Sequence, residues 1–173
     1  MIRDTEVIYQ ARGFQVVRRE ATTPEGENRE KIVVRHPGAA VILPILGDGR
    51  IVLIENFRVA AGQWLLELPA GTIDPGESPE ATAARELQEE TGYRAGSLSP
   101  LLKFYSSPGM FDEVMHVFLA MDLTPGEMNL QHGEQIRLRP ITWPEAKAAM
   151  LDGGIQDGKT VAALLYYRMF RDQ

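Results

Sequence analysis

The sequence contains no cysteine. Disulfide staples, thiolate metal sites and cysteine nucleophiles are therefore excluded. No apolar run reaches the roughly 18 residues that a membrane span needs. The opening residues, MIRDTEVIYQ, lack the apolar core of a signal peptide. Together these absences predict a cytoplasmic protein with no membrane partner. Positive charge is also scarce: 18 Lys and Arg stand against 24 Asp and Glu, a formal net charge of -6. Nucleic acid is held mainly by Lys and Arg on its phosphates, so an acidic chain argues against it as the main partner. A bound divalent cation would still let an acidic site accept a small polyanion. Neither an internal repeat nor a low-complexity tract is present.

What is present suffices for a proper core: 44% of the 173 residues are hydrophobic. One domain with a small appendage is expected. Residues 4–22 and 29–36 read as short strands rich in Val, Ile, Tyr and Phe, turning at Arg12-Gly13 and again at 24–28. Such a small sheet cannot bury two faces and must lean on something else. After His36-Pro37-Gly38 come two almost continuous apolar runs, 39–46 and 51–57, around Asp48-Gly49. Asp-Gly between apolar runs predicts a hairpin, and continuous apolarity predicts burial on both faces. Further strands are expected at 64–69, 98–106, 113–122 and 135–141. Helices are expected from Pro144 to about 151 and over 158–171, the latter capped by Asp157 with an apolar side of Val161, Leu164, Leu165 and Phe170. Trp64 is expected in the core.

Residues 71–93, GTIDPGESPEATAARELQEETGY, organise the rest. Ser78 is a good N-cap, Pro79 suits the first helical position and Gly92 the position just past the end, so a helix over 79–91 follows. On that helix Glu86, Glu89 and Glu90 fall within an arc of roughly 100°. Ala83, Ala84, Leu87 and Thr91 form an adjoining face that can pack on a core. Carboxylates three and four residues apart repel one another. A hard divalent cation with oxygen ligands would offset the repulsion. The competing interpretation is a solvated acidic face, the usual fate of a charge run.

The same stretch resembles the Nudix box, the signature of Nudix hydrolases. Gly71, then Glu77, then Arg85-Glu86-Leu87-Gln88-Glu89-Glu90-Thr91-Gly92-Tyr93 fill every specified position, with Tyr93 where an aliphatic residue is commoner. The resemblance implies an α/β Nudix fold: an α/β/α sandwich with a mixed sheet, in which the box is a loop–helix–loop. A small N-terminal antiparallel sheet, residues 1–36, would precede the hydrolase domain, 37–173. It also implies hydrolysis of a nucleoside diphosphate linked to another group, with Mg2+, or Mn2+, as cofactor. By position, Glu86 and Glu90 correspond to the main metal ligands and Glu89 to a further one. The backbone carbonyl of Ala70 would complete the shell. Arg85 would be an orienting catalytic group held with Glu77, and Gly71 would permit the tight entry.

Outside the box, ENFR at 55–58, WLLELPAG at 64–71 and SSPGMFDE at 106–113 resemble the ADP-ribose pyrophosphatase branch. Pro108, fifteen residues past Tyr93, marks ADP-ribose hydrolysis in that branch, so Pro108 and Gly109 are candidates for substrate binding. Arg58 is a further candidate, because a guanidinium suits bidentate phosphate binding. Related enzymes are homodimers that exchange N-terminal strands, which would answer the stability problem of residues 4–36. By the same resemblance Glu134 is the candidate general base. Glu113 is a second candidate for metal or water, and His132 an alternative base. The expected reaction is hydrolysis of ADP-ribose to AMP and ribose 5-phosphate. The alternatives are GDP-mannose or another nucleoside diphosphate sugar and, in a different class, a Nudix module that senses a nucleotide without cleaving it.

Overall fold

The computed structural model describes residues 2–131, 133 and 135–171. The core is built around β4 (Ala39–Pro44), every residue of which is buried. Side chains alternate across a strand, and here each face meets a different layer. Ala40 and Ile42 pack with Ala83, Leu87, Phe118 and Ala120. Val41 and Leu43 pack with Leu53, Leu68, Val117 and Leu164. Burying one such aliphatic side chain contributes about 1.5–3 kcal/mol.

β4 runs parallel to β9 (Val114–Pro125), from Ala39 opposite Met115 to Pro44 opposite Ala120. β7 (Ala70–Thr72) and β8 (Tyr93–Tyr105) add antiparallel neighbours, giving a mixed four-stranded sheet in the order β7-β4-β9-β8. Helix α1 (Pro79–Thr91) covers one face of this sheet. A second, antiparallel sheet covers the other, in the order β10-β5-β6: Ile136–Ile141, Ile51–Arg58 and Gln63–Glu67. With it lie α2 (Trp143–Leu151) and α3 (Gly158–Phe170). The expected α/β sandwich with a mixed sheet is present. No helix among the described residues is long and apolar enough to cross a membrane.

Residues 39–57 depart from the expected hairpin. The turn forms, with Leu46 N donating to Arg50 O at 2.9 Å and Gly49 at φ +85°. The strands it joins then part into different sheets, and only the bridge between Ile45 and Ile51 remains. Both runs are apolar on both faces. Stacking them in adjacent layers buries more than pairing them edge to edge. β8 begins five residues before its expected start, because pairing along the whole of β9 outweighs the polar composition of 93–97. On α1, Ala83, Leu87 and Thr91 are buried with Thr82, but Ala84 is exposed. On α3 the buried residues are Thr160, Ala163 and Leu164, whereas Leu165 and Phe170 face outward.

The N-terminal strands β1 (Ile2–Gln10), β2 (Gln15–Thr22) and β3 (Asn28–Arg35) form their own antiparallel sheet. Cross-strand ion pairs lace it: Arg18 bridges Glu6 and Glu30 at 2.9 and 2.8 Å. It leans on the loop between β8 and β9. Val34 N donates to Met110 O at 2.8 Å, Asp112 N donates to Val34 O at 3.2 Å, and Arg19 pairs with Asp112 at 2.9 Å. β1 has no buried residue.

Candidate active site

α1 starts and stops where its caps dictate. Ser78 accepts a hydrogen bond from Ala81 N at 3.1 Å, and Gly92 closes the helix at φ +73°. A side chain at Gly92 would also press on the Gly126 carbonyl. The helix thus presents Glu86 and Glu90, one turn apart and both buried, to the strand β7. Ala70 N donates to Glu90 Oε2 at 2.9 Å. Gly71 lies directly beneath Glu86: a Cβ there would overlap the carboxylate.

Arg85 is the hub of the carboxylates. Its Nε and Nη2 donate to Glu77 at 3.1 and 3.0 Å, while Nη1 donates to Glu86 at 2.6 Å and Glu89 at 3.2 Å. The Arg85 hydrogen bonds are the main cause of a Glu77 carboxyl depressed to about 2, aided by Thr82 and partly opposed by burial. The same contacts raise Arg85 well above its ordinary value, with Glu77 foremost. Part of the repulsion along the helix is therefore offset by a guanidinium.

Glu86, Glu90, Ala70, Arg85 and Arg58 are brought together around one cavity of about 970 Å³. The β1–β2 turn also lines it, through Arg12 and Phe14. A second cavity of about 650 Å³ shares Arg58 and the strand Ala70–Thr72 with the first, and runs past Tyr105, Ser106 and Glu113. Among the described residues no three His, Asp or Glu side chains converge as a ready metal cluster. The donor set nevertheless fits a hard divalent cation. Such a cation takes one or two carboxylates and fills its remaining positions with water and substrate phosphate, and Glu86 and Glu90 face the cavity beside the Ala70 backbone.

The other expected residues are more scattered. Glu89 does not line either cavity, and its carboxylate meets Arg85. Glu113 lies 3.3 Å from His36 Nδ1 on the wall of the second cavity. Pro108 and Gly109 are exposed in the β8–β9 loop and line neither cavity. Glu134 and His132 lie outside the described residues; Gln131, nearby in sequence, lines the first cavity. Trp64 is 38% exposed rather than buried, with the Arg137 guanidinium 4.4 Å above its ring.

Arg58 lines both cavities, and its guanidinium is tied on one edge to a buried carboxylate. Glu67, fully buried, accepts from its Nε and Nη2 at 2.8 and 2.6 Å. Lys159 Nζ donates to the same carboxylate at 2.6 Å. Burial alone would raise the Glu67 carboxyl, but Arg58 and Lys159 outweigh it and hold the group below its ordinary value. Sequence reasoning missed Glu67 and Lys159. The available signal was a lone glutamate inside the apolar strand WLLEL, which demands buried cations.

Residues 34–165 match the NUDIX domain family. The chain is 34% identical to the ADP-ribose pyrophosphatase of Bacillus subtilis (strain 168) over 166 residues, spanning 95% of this chain and 90% of that protein. It is 35% identical to the GDP-mannose pyrophosphatase of Yersinia pestis (strain Pestoides F) over 156 residues, spanning 83% and 78%. In three dimensions it resembles a crystal structure of an ADP compounds hydrolase, with a TM-score of 0.82 and 26% identity over 99% of this chain and 94% of that one.

Proposed function

The chain belongs to the Nudix family, and from that premise we propose that it hydrolyses the pyrophosphate bond of ADP-ribose or a related ADP-sugar, giving AMP and ribose 5-phosphate, with Mg2+ as its cation. The observation that carries this reading is the pairing of two cavities across Ala70–Thr72 and Arg58, beside Glu86 and Glu90. A substrate with two organic halves on one pyrophosphate needs that layout. The pyrophosphate would lie over the box, with one half toward Arg12 and Phe14 and the other toward Tyr105, Ser106 and Glu113.

Held by Glu86, Glu90 and the Ala70 carbonyl, a divalent cation would neutralise pyrophosphate charge and favour hydroxide over water. The chain's own residues do the rest. Arg58 faces a phosphate with the part of its guanidinium that Glu67 does not engage. Arg85 fixes the Glu86 carboxylate and, with Glu77, the entry loop of the box. Water attacks one phosphorus, the bridging oxygen leaves with the other phosphate, and the water's proton passes to Glu134 as base.

We assign a homodimer through the N-terminal strands, because β1 exposes Ile2, Val7 and Tyr9 at 71, 53 and 60%. The intact glutamates of the box speak against a module that senses a nucleotide without cleaving it. A kinetic panel of ADP-ribose, GDP-mannose, diadenosine polyphosphates and NADH, each with Mg2+ or Mn2+, tests the substrate assignment. ADP-ribose should give the highest kcat/KM. A preference for GDP-mannose of tenfold or more on that panel would replace it with the sister activity.

A further inference from the structure

We infer that Lys159 and the buried Glu67 form a relay that positions Arg58 at the junction of the two cavities, so that the start of the last helix sets the phosphate-facing guanidinium. The inference rests on the reading of Arg58 as a phosphate contact.

Glu67 is buried on β6. Its Oε1 accepts from Arg58 Nε at 2.8 Å. Its Oε2 accepts from both Arg58 Nη2 and Lys159 Nζ, each at 2.6 Å. One edge of the guanidinium is thereby fixed in plane by two parallel bonds, the arrangement that orients arginine best. The Nη1 side remains for a ligand. Arg58 itself is not sealed in: its side chain is 42% exposed, against 1% for Glu67 and 9% for Lys159. The exposed end therefore lies on two buried partners.

A carboxylate paired with one cation would draw that cation inward and cancel its field. Here Lys159 shares the load on Oε2, so Glu67 has a second cation besides Arg58. Lys159 is itself fixed, because Nζ lies 3.0 Å from Asp157 Oδ2. Asp157 caps α3 by accepting from Thr160 N at 3.0 Å and from the Thr160 hydroxyl at 2.6 Å. That hydroxyl accepts from Leu68 N at 2.8 Å. Leu68 is two residues before Ala70, whose amide holds Glu90. A single helix start thus secures both Arg58 and the strand that enters the box.

Glu67, Asp157 and Lys159 all line the second cavity, and Arg58 lines both. Lys159 acts through Arg58 and is a positioning residue.

The test is a double-mutant cycle on the full-length protein, with ADP-ribose and Mg2+. Lys159→Met should lower kcat/KM about 10- to 100-fold, the scale of a sub-ångström to ångström misplacement. Lys159→Arg should recover activity to within about threefold, because it restores the second cation to Oε2. In an Arg58→Met background, Lys159→Met should cost no more than about a further twofold, as expected when one residue acts through the other. The Mg2+ concentration for half-maximal rate should stay within about twofold throughout; a general collapse of the Ala70 strand would move it. If Lys159→Met does not fold, Lys159→Gln carries the same comparison. Undiminished turnover in Arg58→Met would overturn the Arg58 reading and the relay with it. A damaged Arg58→Met beside an unaffected Lys159→Met would overturn the relay alone. So would a Lys159→Met loss of equal size in both backgrounds.

Discussion

The carboxylate of Glu86 occupies the space where a side chain at position 71 would stand. Gly71 is therefore a requirement of Glu86 rather than of its own backbone, since its φ is not in the left-handed region. Gly71→Ala should displace Glu86 from the cavity and leave the helix and sheets intact. We expect kcat/KM to fall about 100- to 1000-fold, with a higher Mg2+ requirement, on the scale of losing a positioned catalytic group. Circular dichroism should match the parent protein. Retained activity with an unchanged Mg2+ titration would mean that Glu86 is not a ligand.

Glu90 offers a cleaner removal of charge. Its carboxylate accepts from Ala70 N, and a glutamine oxygen can accept the same bond. Glu90→Gln should thus keep the β7–α1 contact while removing the negative charge a cation needs. Turnover should drop by roughly three orders of magnitude or more, while the thermal midpoint moves by only a few degrees. Rates near the parent value would place the cation elsewhere.

The fold was legible to different depths in different segments. Helix α1 could be placed to the residue because Ser78, Pro79 and Gly92 each impose a local backbone state. The box residues could be read because their spacing is set by that helix. The parting of β4 from β5 could not be, since apolar residues on both faces of both runs leave no period-2 signal to choose between pairing and stacking. Nor could the Arg58–Glu67–Lys159 cluster, which joins positions 92 residues apart through side chains alone. Glu67 in an apolar strand announced a buried partner without identifying it. Pro108 and Gly109 illustrate the reverse: their spacing from the box is suggestive, yet they lie on the loop that carries the N-terminal sheet rather than on the walls of either cavity.

Glu77 links stability to pH. Its folded value is near 2, depressed from 4.5 chiefly by Arg85. A depressed carboxyl stabilises the folded state above its unfolded value, and that contribution fades as pH falls through the folded one. Glu77→Gln should therefore cost about 1.5–3 kcal/mol at pH 7, the worth of hydrogen bonds to a charged group. The gap between parent and variant should narrow steadily from about pH 5 toward pH 2. Urea unfolding at a series of pH values measures it. A gap independent of pH would show that the Arg85–Glu77 pair contributes through shape rather than charge.

β1 is the last element whose surface calls for a partner. Its nine residues are all exposed, and Val7 and Tyr9 present apolar area at 53 and 60%. Apolar strands of a three-stranded sheet are expected to be covered, and in the homodimer proposed above a second copy of the chain would supply the same surface by two-fold symmetry. The double variant Val7→Glu, Tyr9→Glu should leave each protomer folded, because neither side chain is buried within it, but should shift light scattering from dimer to monomer. Deleting residues 1–36 is harsher. It removes the Val34–Met110 and Arg19–Asp112 contacts along with Arg12 and Phe14 from the cavity wall. That deletion should give aggregated or inactive protein rather than an active monomer. A parent protein that is monomeric at micromolar concentration, or a fully active truncated chain, would refute the assembly through these strands.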